Sequence, residues 1–184
     1  MIEKWPRISS QYLGDYYIFR LRQDLSVSPR TGRTHRFYVL DAPDWVNIIP
    51  LTSDGQVVLV QQYRHGDGSI TLEIPAGMTD RRDASPIEAA QRELREETGC
   101  IAGRVIHLGS VAPNPAFLNN RCHSYLALDV QPIETPQLDG SEDIALVQLP
   151  LAQVADWIVT GQITHSLTIS AFYYLEKYLR TNPL

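Results

Sequence analysis

The stretch from Ser85 to Gly99 constrains this chain more than any other, because it writes one helix with both ends marked and an acidic face. Ser85-Pro86-Ile87-Glu88 reads as an N-cap, a proline at the first helical position and a glutamate three residues after the cap. Gly99 is the stop signal. Ile87, Ala90 and Leu94 form an apolar stripe for a core. Glu93, Glu96 and Glu97 stand at i, i+3 and i+4, so they share a different face. Like charges at that spacing repel and weaken an isolated helix. Two readings answer the conflict. One is a solvated face with an Arg92–Glu96 ion pair. The other is a hard divalent cation, since Mg²⁺ and Mn²⁺ take oxygen ligands and neutralise carboxylates. The upstream context favours the cation: strand-like residues 70–74 lead through Pro75-Ala76-Gly77 and a polar loop into the helix. A strand, a glycine-bearing loop and a capped helix with a carboxylate face make a cradle for metal-bound phosphates.

The rest of the chain fits one compact enzyme. Its 184 residues support one sizeable core and are short for two. A hydrophobic content of 43% and a charged content of 20% are ordinary for a globular domain. The net charge of −5 argues against a nucleic-acid groove, which shows a basic face. No apolar run approaches the length of a membrane span. The charged, proline-broken start, Met1-Ile2-Glu3-Lys4-Trp5-Pro6-Arg7, lacks the apolar region of a secretion signal. Cys100 and Cys122 fit a reducing cytoplasm; Cys100 reads as a small core residue, and a disulfide between the two is the alternative.

Punctuation divides the chain into short elements. Strands are expected over residues 16–21, 35–40, 45–50, 57–64, 105–112, 122–130 and 144–149, with turns at 28–32 and 53–55. Residues 151–159 read as a helix ended by Gly161. Residues 166–180 read as a clearer one, with Leu167, Ala171, Tyr174, Leu175 and Tyr178 on one side. There is no internal repeat.

From Gly77 to Cys100 the residues resemble the signature of the Nudix hydrolases, G-x5-E-x7-R-E-(apolar)-x-E-E-x-G-(apolar). Gly77, Arg92, Glu93, Leu94, Glu96, Glu97, Gly99 and Cys100 fall on it. The segment between Gly77 and Arg92 is one residue longer than the pattern, and the first Glu becomes Asp83 or is lost at Ala84. The segments Val58-Leu59-Val60-Gln61-Gln62-Tyr63-Arg64 and Leu72-Glu73-Ile74-Pro75-Ala76-Gly77 resemble the ADP-ribose and nucleoside-diphosphate-sugar pyrophosphatase branch. Pro115 falls where that branch carries a proline, and the Ser-Gln-Pro-Trp-Pro-Phe-Pro-x-Ser array of the NADH-cleaving branch is absent. The resemblance implies a Nudix α/β/α sandwich with a mixed sheet over residues 43–184, plus a small N-terminal antiparallel sheet over residues 1–42. It also implies a homodimer whose N-terminal sheets exchange contacts and help bind the base.

Pyrophosphate cleavage needs charge stabilised on two phosphoryl groups and an activated water, and divalent ions supply both. Mg²⁺ is the expected cofactor, with Mn²⁺ as the alternative. Glu93 and Glu97 are expected as principal ligands, Glu96 as a further ligand or support, and, by resemblance, the Ala76 carbonyl as a backbone ligand. Arg92 is expected to orient the acidic side chains. In that branch a Glu on a late loop binds metal or activates water. Here the loop is Leu138-Asp139-Gly140-Ser141-Glu142-Asp143, so Glu142 is the expected base, with Asp143 behind it and Glu96 as the fallback. Arg64, and more weakly Arg36, are phosphate candidates. Tyr17, Phe19 and Trp45 are either base-stacking residues or members of the core or dimer interface. His65 and His123 read as hydrogen-bonded structural residues, and His165 as a neighbour of a helix cap. The expected reaction is Mg²⁺-dependent hydrolysis of ADP-ribose or a related nucleotide sugar, a small molecule, in the cytoplasm. An RNA 5′-pyrophosphohydrolase and a non-catalytic nucleotide-binding module on the same scaffold are the alternatives.

Overall fold

The computed structural model describes residues 1–140 and 142–183. The chain divides into two compact units. One comprises Met1–Asp44 with Ala112–Arg121, and the other Trp45–Val111 with the chain from Cys122 onward.

The first unit is an antiparallel sheet of three strands, β1 (Arg7–Asp15), β2 (Arg20–Val27) and β3 (Thr34–Asp41), in the order β1-β2-β3. Its buried seam is ionic. Arg22 pairs with Asp24 at 3.0 Å, and Asp24 also accepts from Ser10 at 2.6 Å. The strand expected over residues 16–21 divides: residues 16–19 form the turn between β1 and β2. Ile18 N–H donates to the Tyr16 carbonyl at 2.7 Å, and Tyr17 takes a left-handed conformation with φ 66°. Asp15 caps that turn by accepting the Tyr17 N–H at 3.2 Å. The aromatic, β-branched run suggested a strand by propensity, but the local Asx turn prevails. The strand β1 that precedes it reads as polar and gives no such signal.

The second unit is a mixed sheet between helices. Its strands are β4 (Trp45–Leu51), β5 (Gln56–Arg64), β6 (Ser69–Glu73), β7 (Ala76–Met78), β9 (Arg104–Val111), β10 (Cys122–Leu128) and β12 (Ile144–Pro150). The main path runs β12-β5-β4-β10-β9, with β4 and β10 parallel. A separate two-stranded pair joins β8 (Cys100–Ile101) to β11 (Gln131–Pro132). The helices are α1 (Pro86–Thr98), α2 (Val154–Val159), which follows a 3₁₀ turn at Leu151–Gln153, and α3 (Ser166–Leu179).

Alternation along the central strands feeds two cores. Val46, Ile48, Tyr125 and Ala127 pack with Ala89, Ala90 and Leu94 of α1. Ile49, Leu51 and Leu126 pack with Ala171, Phe172 and Leu175 of α3. Each fully buried aliphatic side chain contributes about 1.5–3 kcal/mol, so the sheet is held from both faces.

The strands β4 and β5 share only the pairing Leu51↔Val57. Beyond it they diverge, and the chain from β6 to β7 fills the split: β6 pairs with β5, β7 pairs with β4, and Ile48 N–H donates to the Pro75 carbonyl at 3.0 Å between them. This split brings Glu73 and Ala76 to the middle of the sheet, with Ala76 against Glu97 of α1.

Gly99 closes α1 with φ 68°, its N–H donating to the Arg95 carbonyl at 2.8 Å. A side chain there costs about 1–2 kcal/mol for the left-handed backbone, and its Cβ would also overlap the Glu134 carbonyl. Gly161 has φ 81° and open space around it. Thermal melts are expected to show a larger loss for Gly99→Ala than for Gly161→Ala; equal losses would remove the Glu134 contact from the account.

Candidate active site

Helix α1 starts where its sequence signal places it, but the capping bond lies one residue earlier. Ser85 is the N-cap in extended conformation, but its hydroxyl makes no capping bond. Glu88 reaches back instead and accepts the Ala84 N–H at 3.1 Å. Pro86 takes the first helical position, where a missing N–H costs nothing.

The buried face of α1 is unusual because it includes acids. Ala90 and Leu94 are buried as expected, Ile87 is half-buried, and Ala89 is buried beside them; so are Glu93 and Glu97, at 8% and 2% exposure. Both carboxylates press against β7. The Ala76 N–H donates to Glu97 Oε2 at 3.1 Å. Gly77 leaves the space that the Glu93 carboxylate occupies, and a Cβ at that position would overlap it. Glycine is required here for close approach. Its φ lies outside the left-handed region.

The electrostatics follow from that burial. Desolvation, reinforced by the charges of Glu93 and Glu142, pushes the Glu97 carboxyl up to about 9. Desolvation also raises Glu93, against the pull of Arg92. The Arg92 guanidinium is fully committed. Nε and Nη2 donate to the two oxygens of Asp83, each at 3.1 Å. Nη1 donates to Glu93 at 2.8 Å and Glu96 at 2.9 Å, and Nη2 also donates to the Met78 carbonyl at 3.0 Å. A guanidinium has five N–H groups, so all are used within the protein, with no donor left for a ligand. The Asp83 hydrogen bond is the largest cause raising Arg92, which stays charged throughout.

Glu96 turns towards Arg92 and is half-exposed, so the three glutamates of the helix do not converge. Among the described residues no group of three acidic, histidine or cysteine side chains meets at one point. What the structure offers a cation is two buried carboxylates, each pushed up in part by a neighbouring negative charge. That donor set fits a hard divalent ion, which would replace the proton that burial now favours.

The other candidates fall as follows. Glu142 is half-buried on the loop before β12. Its Oε2 accepts the Asp139 N–H at 2.9 Å, and its charge acts on Glu93, Glu97 and Arg64. Ser141 of the same loop lies outside the described residues. Asp143 is exposed. Arg64, at the end of β5, forms a two-pronged pair with Glu73, Nε to Oε1 at 2.7 Å and Nη2 to Oε2 at 2.8 Å. Tyr17, 96% exposed, and Arg36, on β3, belong to the first unit. Cys100 and Cys122 are buried and unbridged.

Sequence reasoning gave Glu73 no role and treated His165 as a cap neighbour. His165 is the N-cap of α3, and its Nδ1 lies 3.1 Å from Glu73. The available signal was a lone acid alternating with Leu72 and Ile74, one strand away from Arg64.

The sequence and the fold have known counterparts. A model of the NUDIX domain matches residues 43–166. An ADP-ribose pyrophosphatase from Mycobacterium tuberculosis is 32% identical over 89% of this chain and 79% of its own length. A methanol dehydrogenase activator from Bacillus methanolicus is 32% identical over 79% of this chain and 78% of its own length. A crystal structure of an ADP compounds hydrolase superposes with a TM-score of 0.87, covering 100% of this chain and 98% of that one at 22% identity, which shows the shared fold. The chain belongs to the Nudix hydrolase family, in the branch that contains the ADP-ribose pyrophosphatases. No helix among the described residues is long and apolar enough to cross a membrane.

The buried pair makes a pH prediction for metal-free protein. Unfolded, Glu97 releases its proton near its ordinary value of 4.5, while the native state holds it to about 9. The native state thus binds more protons in that window, and stability falls as pH rises through it. Melting temperature in chelator is expected to decline between about pH 5 and pH 9. Glu97→Gln, which cannot ionise, is expected to flatten the decline. An unchanged slope in that variant would assign the effect elsewhere.

Proposed function

We propose that this chain hydrolyses the pyrophosphate bond of ADP-ribose or a related nucleoside-diphosphate sugar, releasing a nucleoside monophosphate and a sugar phosphate, with Mg²⁺ or Mn²⁺ as its cation. The observation that carries the reading is the buried Glu93–Glu97 pair against the Ala76-Gly77 edge, with Arg92 saturated behind it. Glu93 and Glu97 would hold the cation, with the Ala76 carbonyl as a backbone ligand and Glu96 as a further ligand or support. When bound, the cation stabilises charge on phosphoryl oxygens and lowers the pKa of its water.

The chain's own residues take the remaining roles. Arg64 binds a phosphate oxygen through Nη1, the edge of its guanidinium not engaged by Glu73. Glu142 acts as general base: one of its oxygens is held by the Asp139 N–H, which leaves the other to take a proton from water. Asp143 is the alternative base on the same loop. Arg36 is a weaker candidate for a phosphate contact, and Tyr17 for stacking on the base, whose π-face suits an aromatic ring. The M. tuberculosis relative, whose name specifies ADP-ribose, supports the substrate class. The net charge of −5 disfavours an RNA 5′ end, and intact Glu93, Glu96 and Glu97 disfavour a module without catalysis. The reading extends to a cytoplasmic homodimer. The two buried cysteines, which form no disulfide, support the compartment, and exposed Ile8, Tyr12, Leu13, Phe37 and Tyr38 on the three-stranded sheet support association.

A substrate panel tests it: ADP-ribose, other nucleoside-diphosphate sugars, NADH and 5′-triphosphorylated RNA, scored by released phosphate after phosphatase treatment. ADP-ribose or another nucleotide sugar is expected to lead, with turnover lost in chelator and restored by Mg²⁺. Glu97→Gln is expected to lower kcat by about 10²–10⁴. Undiminished turnover in chelator would exclude the cation. If Glu142 is the base, Glu142→Gln should lower kcat and leave KM nearly unchanged, and Asp143→Asn should be mild; the reverse order would move the role to Asp143.

A further inference from the structure

Behind Arg64 lies a buried charge that the cation-centred reading does not use. Glu73 is enclosed at 0% exposure, yet its oxygens are surrounded by donors. Besides the two-pronged Arg64 contact, Thr71 Oγ1 donates to Oε1 at 2.6 Å, and His165 Nδ1 lies 3.1 Å from Oε2. Burial alone would raise this carboxyl, but Arg64 and Thr71 outweigh it and hold Glu73 below its ordinary range. It is therefore a fixed anion and a poor base. Burial also holds the His165 imidazole below its usual value, against the pull of Glu73, with Nδ1 turned to the carboxylate. Thr168 Oγ1 lies 3.2 Å from the same nitrogen and accepts the Ile74 N–H at 3.4 Å. Three elements, β5, β6 and the start of α3, thus meet at one carboxylate.

Stability alone does not explain this arrangement, because replacing a buried ion pair by packed apolar residues is often neutral or stabilising. The geometry explains it better. Arg64 faces Glu73 with Nε and Nη2, which leaves Nη1 on the outer edge of the planar fork. That side chain stays 41% exposed. The charges of Glu97 and Glu142 both act on it, so it lies within electrostatic reach of the carboxylates assigned to the reaction. An unrestrained arginine would lose rotamer freedom on gripping a phosphate; one locked beforehand does not.

We propose that Glu73, supported by Thr71 and His165, is a positioning residue that locks Arg64 so that Nη1 is preset for a phosphate oxygen of the nucleoside diphosphate. The proposal rests on the functional reading above, from which it takes its ligand class. It separates Glu73 from the metal-holding carboxylates: Glu73 acts on substrate capture through Arg64 and not on the cation.

A double-mutant cycle tests it, with KM and kcat for ADP-ribose and melting temperature read on each variant. Arg64→Ala is expected to raise KM about tenfold or more, and Arg64→Lys, which keeps the charge but not the fork, to raise it nearly as much. Glu73→Gln is expected to raise KM several-fold, with kcat at saturation little changed. Glu73→Gln with Arg64→Ala is expected to be no worse in KM than Arg64→Ala alone. If Glu73→Gln does not fold, His165→Ala replaces it, raising KM in the natural background and not in the Arg64→Ala background. Effects on KM that multiply, or a drop in melting temperature with KM unchanged, would overturn the positioning role while the functional reading stands. Absence of turnover on every nucleoside-diphosphate sugar in the natural protein would overturn both.

Discussion

Two carboxylates buried side by side are the constraint on which the larger unit depends. Glu93 and Glu97 sit on the face of α1 that a helix normally reserves for apolar contact, and each is destabilised by burial and by neighbouring charge. The surroundings are shaped to tolerate this. Gly77 gives up its side chain to make room, the Ala76 N–H is spent on Glu97, and Arg92 is spent on Glu93. The far end of α1 is strapped down as well. Ile133 and Glu134 donate their N–H groups to the Gly99 carbonyl, at 2.9 and 3.2 Å, and Gln137 donates to the Glu96 carbonyl at 2.8 Å. Carbonyls that a helix end leaves orphaned are thereby satisfied.

The unit contains a useful contrast in how charge is buried. Glu73 is as deeply enclosed as Glu97, yet it is held below its ordinary range while Glu97 is pushed far above its own. The difference lies in partners. Glu73 has an arginine fork, a hydroxyl and an imidazole around it; Glu97 has one backbone N–H and two neighbouring carboxylates. A carboxylate whose needs are met inside the protein is structural or positioning. One that is left in deficit is available for a cation from outside, and the deficit is electrostatic energy that binding recovers.

Helix α1 was legible almost completely in the sequence, because proline, glycine and apolar spacing all act locally. The sheet was legible where strands were long, as at β4, β5 and β10, and illegible where tertiary context alone makes a strand. Two-residue β8 and β11 exist only as a pair, and β7 exists because β4 and β5 part company. At residues 16–19 propensity pointed to a strand and an Asx turn prevailed. Within the site, the i, i+3, i+4 rule put three glutamates on one face and raised the Arg92–Glu96 ion pair as a reading; what it could not say is that this pair forms while Glu93 and Glu97 are buried. Glu73 and His165 were invisible for a related reason. They are 92 residues apart by number, 165 minus 73, and only the docking of α3 on the split sheet brings them together.

The departures from the family signature between Gly77 and Arg92 also have a physical account. The segment is one residue too long and offers an aspartate where a glutamate is expected, yet Asp83 still reaches Arg92 because the loop folds back on itself. Asp83 N–H donates to the Asp80 carbonyl at 3.0 Å, and Asp80 N–H donates to Asp83 Oδ2 at 2.7 Å. That closed turn carries the shorter side chain up to Arg92, where both its oxygens are engaged at 3.1 Å. The quantity preserved is the grip on Arg92. Through Arg92 that grip fixes the orientation of Glu93 and Glu96, so the loop tolerates a changed length and a changed acid as long as a carboxylate reaches the guanidinium.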